Sequence, residues 1–423
     1  MAKILSLFDG MACGYIAMQN AGITIDSYDA FEVDQYAIKT VTHNFPFVRE
    51  HGDVFDADFT QFEGVDWLIG GSPCTHWSVC QKKNRETTAS GFGWELFQQY
   101  VRALRDAKPK FFIYENNKSM SSAIRDSIRE TFGFNEICIN SALVSAQNRQ
   151  RYYWVGVRQA DGTYSRVDTK QPVDRGILLR DVLEDGYVVH DKAYCLTHTE
   201  GNVRDHYTHR HTEVKYEPVC VTEGKARVVK AQYYKTSIAN LMDSQHYPVS
   251  GVAELVEGIH GKPRRVGTYP NDAKNQDFDS QQYRVYSPDG KSVTLCGNGG
   301  GLGAQTGLYC LPTDGYYATT CEWDNDGNPT KAISCADGKV HKVYKVVNGI
   351  ITVLERQYPL AVDDGFWIIR KLTVRECARL QTVPEWYEFP VSDSQAYKLL
   401  GNGWTCDVIT HLIRDALAKE ENE

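Results

Sequence analysis

The chain reads as an α/β protein: a doubly wound, mostly parallel sheet interrupted by an inserted, mostly β unit. Three observations predict this. Across the first 160 residues, short apolar runs alternate with amphipathic stretches, the pattern of a parallel sheet covered by helices. From about residue 171 to 365 the composition shifts to Gly, Tyr, Thr and Asp/Asn-Gly turns. The last segment then returns to helical spacing. A length of 423 residues also exceeds the ~250–300 that one core usually supports. The expected units are residues 1–170, an inserted domain over 171–370, and a segment 371–423 that completes the first unit.

Taken in order, the strands expected in the first unit are KILSLF (3–8), SYDAFEV (27–33), VDWLIGG (65–71), KFFIYE (110–115) and RYYWVGV (151–157). YIAMQNAG (15–22), QYAIKTVTHNF (35–45) and ELFQQYVRALRDA (95–107) place apolar residues three or four apart and read as helices. In the inserted unit, SPDGKS, DNDGNPT and CADGK are hairpin turns beside β-rich runs such as HKVYKVVNGIITVL. VRECARLQ (374–381) and DVITHLIRDALAK (407–419) are the helices that dock back on the first unit. Arg375, Glu376 and Arg379 are expected to form an ion-pair cluster on the first of these.

Composition is that of a soluble protein, with 42% hydrophobic and 24% charged residues and no apolar run near the ~18 residues of a membrane span. MAKILSLFDG carries no secretion signal, and the twelve cysteines include no CxxC pair, so reduced thiols and a cytoplasmic location are expected. The net charge of −8 argues against non-specific nucleic-acid binding, although KARVVK (225–230) and GKPRR (261–265) supply local basic patches. Cys195, His206, His209, His211 and Cys220 lack structural-zinc spacing, and no metal is expected.

Chemistry concentrates where strands end. LFDGMACG (7–14) runs from strand into helix through small residues, a tight turn or a place where backbone approaches a ligand; it lacks the full GxGxxG fingerprint. Glu32 stands at the next strand end, where ribose hydroxyls bind in such sheets, and Asp53 at the one after, where an adenine amino group can be held. Cys74 follows Pro73 after VDWLIGG, and Glu115 ends KFFIYE at the same edge. A free cysteine is most often a small buried hydrophobe; a thiol and a carboxyl at one sheet edge also fit a nucleophile and an acid.

FDGMACG, FEVD, GD, GGSPC, ENN, QNRQR, RECARLQ and GNGWT occur here in that order, and in this the chain resembles the DNA (cytosine-5) methyltransferases. The likeness covers residues 4–160 and 371–416, with 171–365 in the place of the variable target recognition domain. Ala12 and Trp404 stand where most of the family has Gly and Val, as in the branch containing the mammalian de novo enzymes. The absence of a chromatin-reading domain suggests a bacterial or phage source.

The resemblance implies a Rossmann-like class I methyltransferase fold acting on double-stranded DNA, with S-adenosyl-L-methionine as cofactor and no obligate protein partner. It places Phe8, Asp9, Gly10, Ala12, Glu32, Asp53, Val54, Pro73, Asn402 and Trp404 at the cofactor. Cys74 would be the nucleophile towards C6 of a flipped-out cytosine. Glu115, helped by Asn116, would hold N3, while Arg149 and Arg151 project from one strand face, the second holding the base carbonyl. Ser72, Thr75 and Asn117 would line the substrate pocket. Thr75 and Asn117 depart from the family's usual Gln or Asn and Val, which raises a carboxylated analogue of the cofactor as an alternative donor. RNA methylation and a catalytically silent DNA-binding regulator are the competing readings.

Overall fold

The computed structural model describes residues 1–78, 85–184, 190–194, 265–268, 284–286, 289–292, 308–312, 318–334, 336–353, 356–359 and 364–420. In chain order, β1 is Ala2–Leu7, β2 Ile25–Phe31, β3 Arg49–Glu50, β4 Trp67–Gly70, β5 Phe111–Asn117, β6 Ile137–Asn140, β7 Gln147–Asn148, β8 Gln150–Arg158 and β9 Tyr164–Arg166. The main sheet has the order β3-β2-β1-β4-β5-β8-β6, with β9 on β8. β1 pairs in parallel with both β2 and β4, and β4 with β5, whereas β8 runs antiparallel to β5 and β6. The chain thus leaves β1 towards β2 and later crosses back to β4 on the other side. Such a reversal opens a crevice beyond the carboxyl ends of β1 and β4.

Among the described residues seven helices accompany these strands: α1 (Cys13–Asn20), α2 (Gln35–Asn44), α3 (Phe92–Ala107), α4 (Ser122–Phe132), α5 (Val374–Leu380), α6 (Asp393–Asn402) and α7 (Cys406–Glu420). Strand periodicity splits the apolar residues between two layers. Ile4, Ile69 and Ile113 face Ile16 of α1 and Ile409, Leu412 and Ile413 of α7. Leu5, Leu68 and Phe112 face Phe97 and Tyr100 of α3 and Ile124 and Ile128 of α4. The sheet is therefore covered on both sides, as expected, and α7 returns to it from the far end of the sequence. α4, α6 and β6 are not among the expected elements. α4 carries a thin stripe, Ile124, Ile128 and Phe132, between charged residues. Its ends are set by the Ser121 hydroxyl, which accepts from Ile124 N at 3.2 Å, and by Gly133 at φ 81°.

The first unit's packing continues past residue 170: Leu179 and Val182 are buried in the layer that contains α7. From His190 to Arg370 every described element is a strand. Val340–Val347 turns into Ile350–Val353 through Asn348 and Gly349, at φ 53° and 68°, the two left-handed residues of a tight hairpin. Asp324 and Asn328 close the turn between Ala318–Trp323 and Pro329–Ser334. Cys195, the histidines 206, 209 and 211, Cys220, KARVVK and GKPRR before Arg265 lie outside the described residues.

The return to the first unit is fixed by a buried ion pair. Arg370, ending the strand Gly365–Arg370, meets both carboxylate oxygens of Glu376 at 2.7 and 2.8 Å. This corrects the cluster expected on α5: Glu376 pairs with the preceding strand, while Arg379 pairs with Glu385 at 2.7 Å and Arg375 reaches the Tyr387 carbonyl.

Candidate active site

The turn after β1 is wound through left-handed backbone at Phe8, Gly10 and Ala12, with φ of 57°, 63° and 58°. At Phe and Ala that conformation costs about 1–3 kcal/mol each, and such strain gathers where backbone amides are aimed at a ligand. Close packing behind the turn explains Gly14, where a Cβ would lie 2.3 Å from Ile69 Cδ1. Asp9 accepts hydrogen bonds at Oδ1 from Ser6 and Tyr28, at 2.5 and 2.6 Å, while its buried Oδ2 has no partner in the protein. Burial raises its pKa. Glu32 accepts from the amides of Gly10, Val33 and Asp34, each at 2.8 Å, and burial outweighs these donors to leave its pKa raised.

Glu50 is a third acid of this group and was not singled out by the sequence. Neither of its oxygens has a partner, and burial, then the charges of Asp9 and Glu32, push its pKa up to about 8. Asp53 is exposed and caps the 3₁₀ turn Val54–Asp56 through a 3.0 Å bond from Phe55 N; Val54 is buried behind it.

The turn after β4 is set by close backbone approach. A Cβ on Gly70 would stand 2.6 Å from the Leu7 carbonyl, and one on Gly71 would stand 2.7 Å from the Glu115 carbonyl and 3.0 Å from Glu115 Oε2. Cys74 opens the 3₁₀ turn Cys74–His76, with Pro73 exposed before it and Thr75 half-buried after it. Asn116 and Ser72 have partners of their own here. Asn116 leaves β5 on the face opposite Glu115: its amide donates to Ser72 O and Tyr114 OH, both at 3.1 Å, and accepts from Asn117 N. Ser72 is buried with its hydroxyl 2.7 Å from Tyr114 OH. Both residues thus tie the Cys74 turn to β5. Glu86 anchors the far side, accepting from Trp77 Nε1 and Gly93 N at 3.1 Å.

Asn117 is buried, its amide donating to Asn116 Oδ1 and accepting from the Ser119 hydroxyl at 2.7 Å. Lys118 is exposed and bonded to Gln150 Oε1.

Glu115 is held at both oxygens. Arg151 Nε approaches Oε1 at 3.0 Å, and Trp404 Nε1 donates to Oε2 at 3.0 Å. Asn117 pairs with Arg151 across β5 and β8, so Arg151 reaches Glu115 on the diagonal of the same sheet face. Arg149 does something different from Arg151. It is buried and donates to the carbonyls of Gly401 and Gly403, at 3.3 and 2.8 Å, so it holds the turn that carries Trp404. Gln381 shares that task, donating to Leu400 O and Gly403 O. Trp404, expected at the cofactor, is thus brought to Glu115, and Asn402 beside it is exposed. Nothing local in GNGWT announces this contact, because it joins residues 289 positions apart.

The C-5 cytosine-specific DNA methylase family matches residues 2–299 and 314–418. An orphan methyltransferase of Bacillus phage rho11s is 27% identical over 329 residues, which are 73% of this chain and 60% of that protein. An orphan methyltransferase of Bacillus phage SPR is 32% identical over 170 residues, 37% of this chain and 38% of the relative. The matches to these two relatives therefore span less than two thirds of their length. Among solved structures, the Entamoeba histolytica methyltransferase EhMeth aligns with a TM-score of 0.51 and 12% identity, covering 99% of each chain, a likeness of fold. No helix among the described residues is long and apolar enough to cross a membrane.

Proposed function

The chain belongs to the C-5 cytosine-specific DNA methylase family, and from that premise we propose that it methylates C5 of a cytosine flipped out of duplex DNA, through a covalent adduct of Cys74. The observation that carries this reading is the clamped Glu115, one backbone contact from the Gly71 turn that leads into Cys74. C6 of a stacked cytosine is closed to attack from above or below the ring, so the base must leave the helix first. The Cys74 thiolate then adds to C6, and Glu115, protonated and hydrogen-bonded to N3, stabilises the electron density pushed onto the ring. Loss of the C5 proton to a base after C5 is alkylated re-forms the C5–C6 double bond and expels Cys74.

S-adenosyl-L-methionine, when bound, supplies the electrophilic methyl group. The residues beyond β1 and β2 fit it: the orphaned Asp9 Oδ2 suits a cationic amine, Glu32 suits ribose hydroxyls, and the left-handed turn offers amides to a carboxylate. The contacts of Asn117 and Lys118 support methyl over a carboxylated substituent, since both side chains already have partners.

The test is incubation with labelled cofactor and either duplex DNA or transfer RNA, weighing the product base. We expect 5-methylcytosine in DNA, and Cys74→Ala to abolish transfer while DNA binding stays measurable. Transfer to RNA alone, a carboxymethylated product, or full activity in the Ala variant would each overturn the corresponding part.

A further inference from the structure

We propose that Trp404 is a positioning residue for Glu115: its indole N–H fixes the second carboxylate oxygen and so sets the orientation in which the acid meets the base. This rests on the reading of Glu115 above and deepens it. A carboxylate held at one oxygen can still rotate about its last torsion, which is broad and roughly two-fold. Arg151 alone, 3.0 Å from Oε1, leaves that freedom; Trp404, 3.0 Å from Oε2, removes it. Indole nitrogen is donor-only, so Oε2 meets it as an acceptor whether or not Glu115 carries a proton. Of the roughly four lone-pair sites of a carboxylate, Arg151 and Trp404 occupy two, and the acid meets a ligand through those left.

The frame behind Trp404 is built for precision. Arg149 and Gln381, both buried, converge on the Gly403 carbonyl at 2.8 and 3.2 Å, and they also hold Gly401 O and Leu400 O. Gly403 N bonds to Leu399 O at 2.7 Å, and Thr405 Oγ1 donates to Gln381 Oε1 at 2.8 Å. Two buried side chains from distant segments thus fix the turn from which the indole reaches Glu115, the arrangement that holds a reactive group to a fraction of an ångström. Valine at this position has no donor, so an enzyme with Val there must orient the acid by other means.

Two measurements decide. With ¹⁵N-indole labelling, the Trp404 resonance is the one lost in Trp404→Phe; it should move in Glu115→Gln while the other tryptophan resonances stay. In kinetics, Trp404→Phe should lower kcat about tenfold at saturating cofactor, the loss of one hydrogen bond that orients the acid. The dissociation constant for S-adenosylhomocysteine should stay within twofold. In a Glu115→Gln background, the Phe substitution should have little further effect. An unmoved indole resonance overturns the inference even in an active enzyme. So does a weakened cofactor constant with kcat intact, which would make Trp404 a wall of the cofactor site. A parent that transfers no methyl group would instead sink the proposed function, and the resonance would still report on the Trp404–Glu115 pair.

Discussion

Glu50 is the least comfortable side chain near the crevice. Its oxygens are buried without partners, and the charges of Asp9 and Glu32 add to the cost of that burial. With the folded pKa raised to about 8 from 4.5, the folded protein holds a proton that the unfolded chain has released across that window. Stability from this group is therefore complete below about pH 4.5 and is lost as pH rises to about 8, at no more than roughly 1.4 kcal/mol per pH unit. Glu50 is partly exposed, and solvent screening makes that slope an upper bound. Glu50→Gln removes the linkage, so in cofactor-free protein its Tm advantage over the parent should widen from pH 5 to pH 8 and level off above. Parallel Tm curves for the two proteins would show that the carboxyl is solvated. The sequence shows Glu50 only as an acid near the end of a polar stretch. What makes it costly is first its burial and then the company of residues 9 and 32, which β1, β2 and β3 bring together only on folding. The places of Cys74 and Glu115 near the carboxyl edge of the sheet, by contrast, are legible, because each follows an apolar run whose sheet position the alternation of strands and helices already implies.

At the scale of elements, the junction between the strand Gly365–Arg370 and α5 depends on one buried pair. Glu376 also accepts from Thr373 N at 2.7 Å in a capping box, so a single carboxylate serves both the helix start and the strand end. Removing one member of a buried pair leaves an uncompensated charge and costs about 3–5 kcal/mol, whereas replacing both by apolar residues is often neutral. Glu376→Ala should therefore lower the urea midpoint by the equivalent of about 3–5 kcal/mol. Arg370→Met with Glu376→Leu should recover most of that, less about 1 kcal/mol for the lost cap. A single variant as stable as the parent would mean that Arg370 reaches water. RECARLQ suggested pairing within the helix because residues three and four apart are neighbours there. The actual partner comes from a preceding strand, and helical periodicity carries no information about it.

For the whole molecule, the points where the chain leaves and re-enters the first unit are stapled together. Thr373 Oγ1 donates to Glu184 Oε2 at 2.6 Å, and Glu184 N donates to Glu376 Oε1 at 3.2 Å. An insertion whose ends meet can change without disturbing its host, as inserted domains do. The alternation of β-rich turns marked this region in the sequence, but the position of its edges depends on packing. Leu179 and Val182 belong to the host core. The strand Gly365–Arg370 lies between Leu308–Pro312 and Val340–Val347 in the inserted sheet, so it must travel with its neighbours. If residues 185–369 select the DNA site, exchanging that segment for its counterpart from a related methylase, with Arg370 kept, should redirect methylation to the donor's site. The product should remain 5-methylcytosine. Sequencing methylated bases in cells that express the chimaera reads both outcomes. A chimaera cut at 171 and 365 should instead be poorly soluble, since it replaces two core side chains and parts nearly all of the strand Gly365–Arg370 from its neighbours in the inserted sheet. An active 185–369 chimaera that keeps the parent's site would place recognition in the first unit.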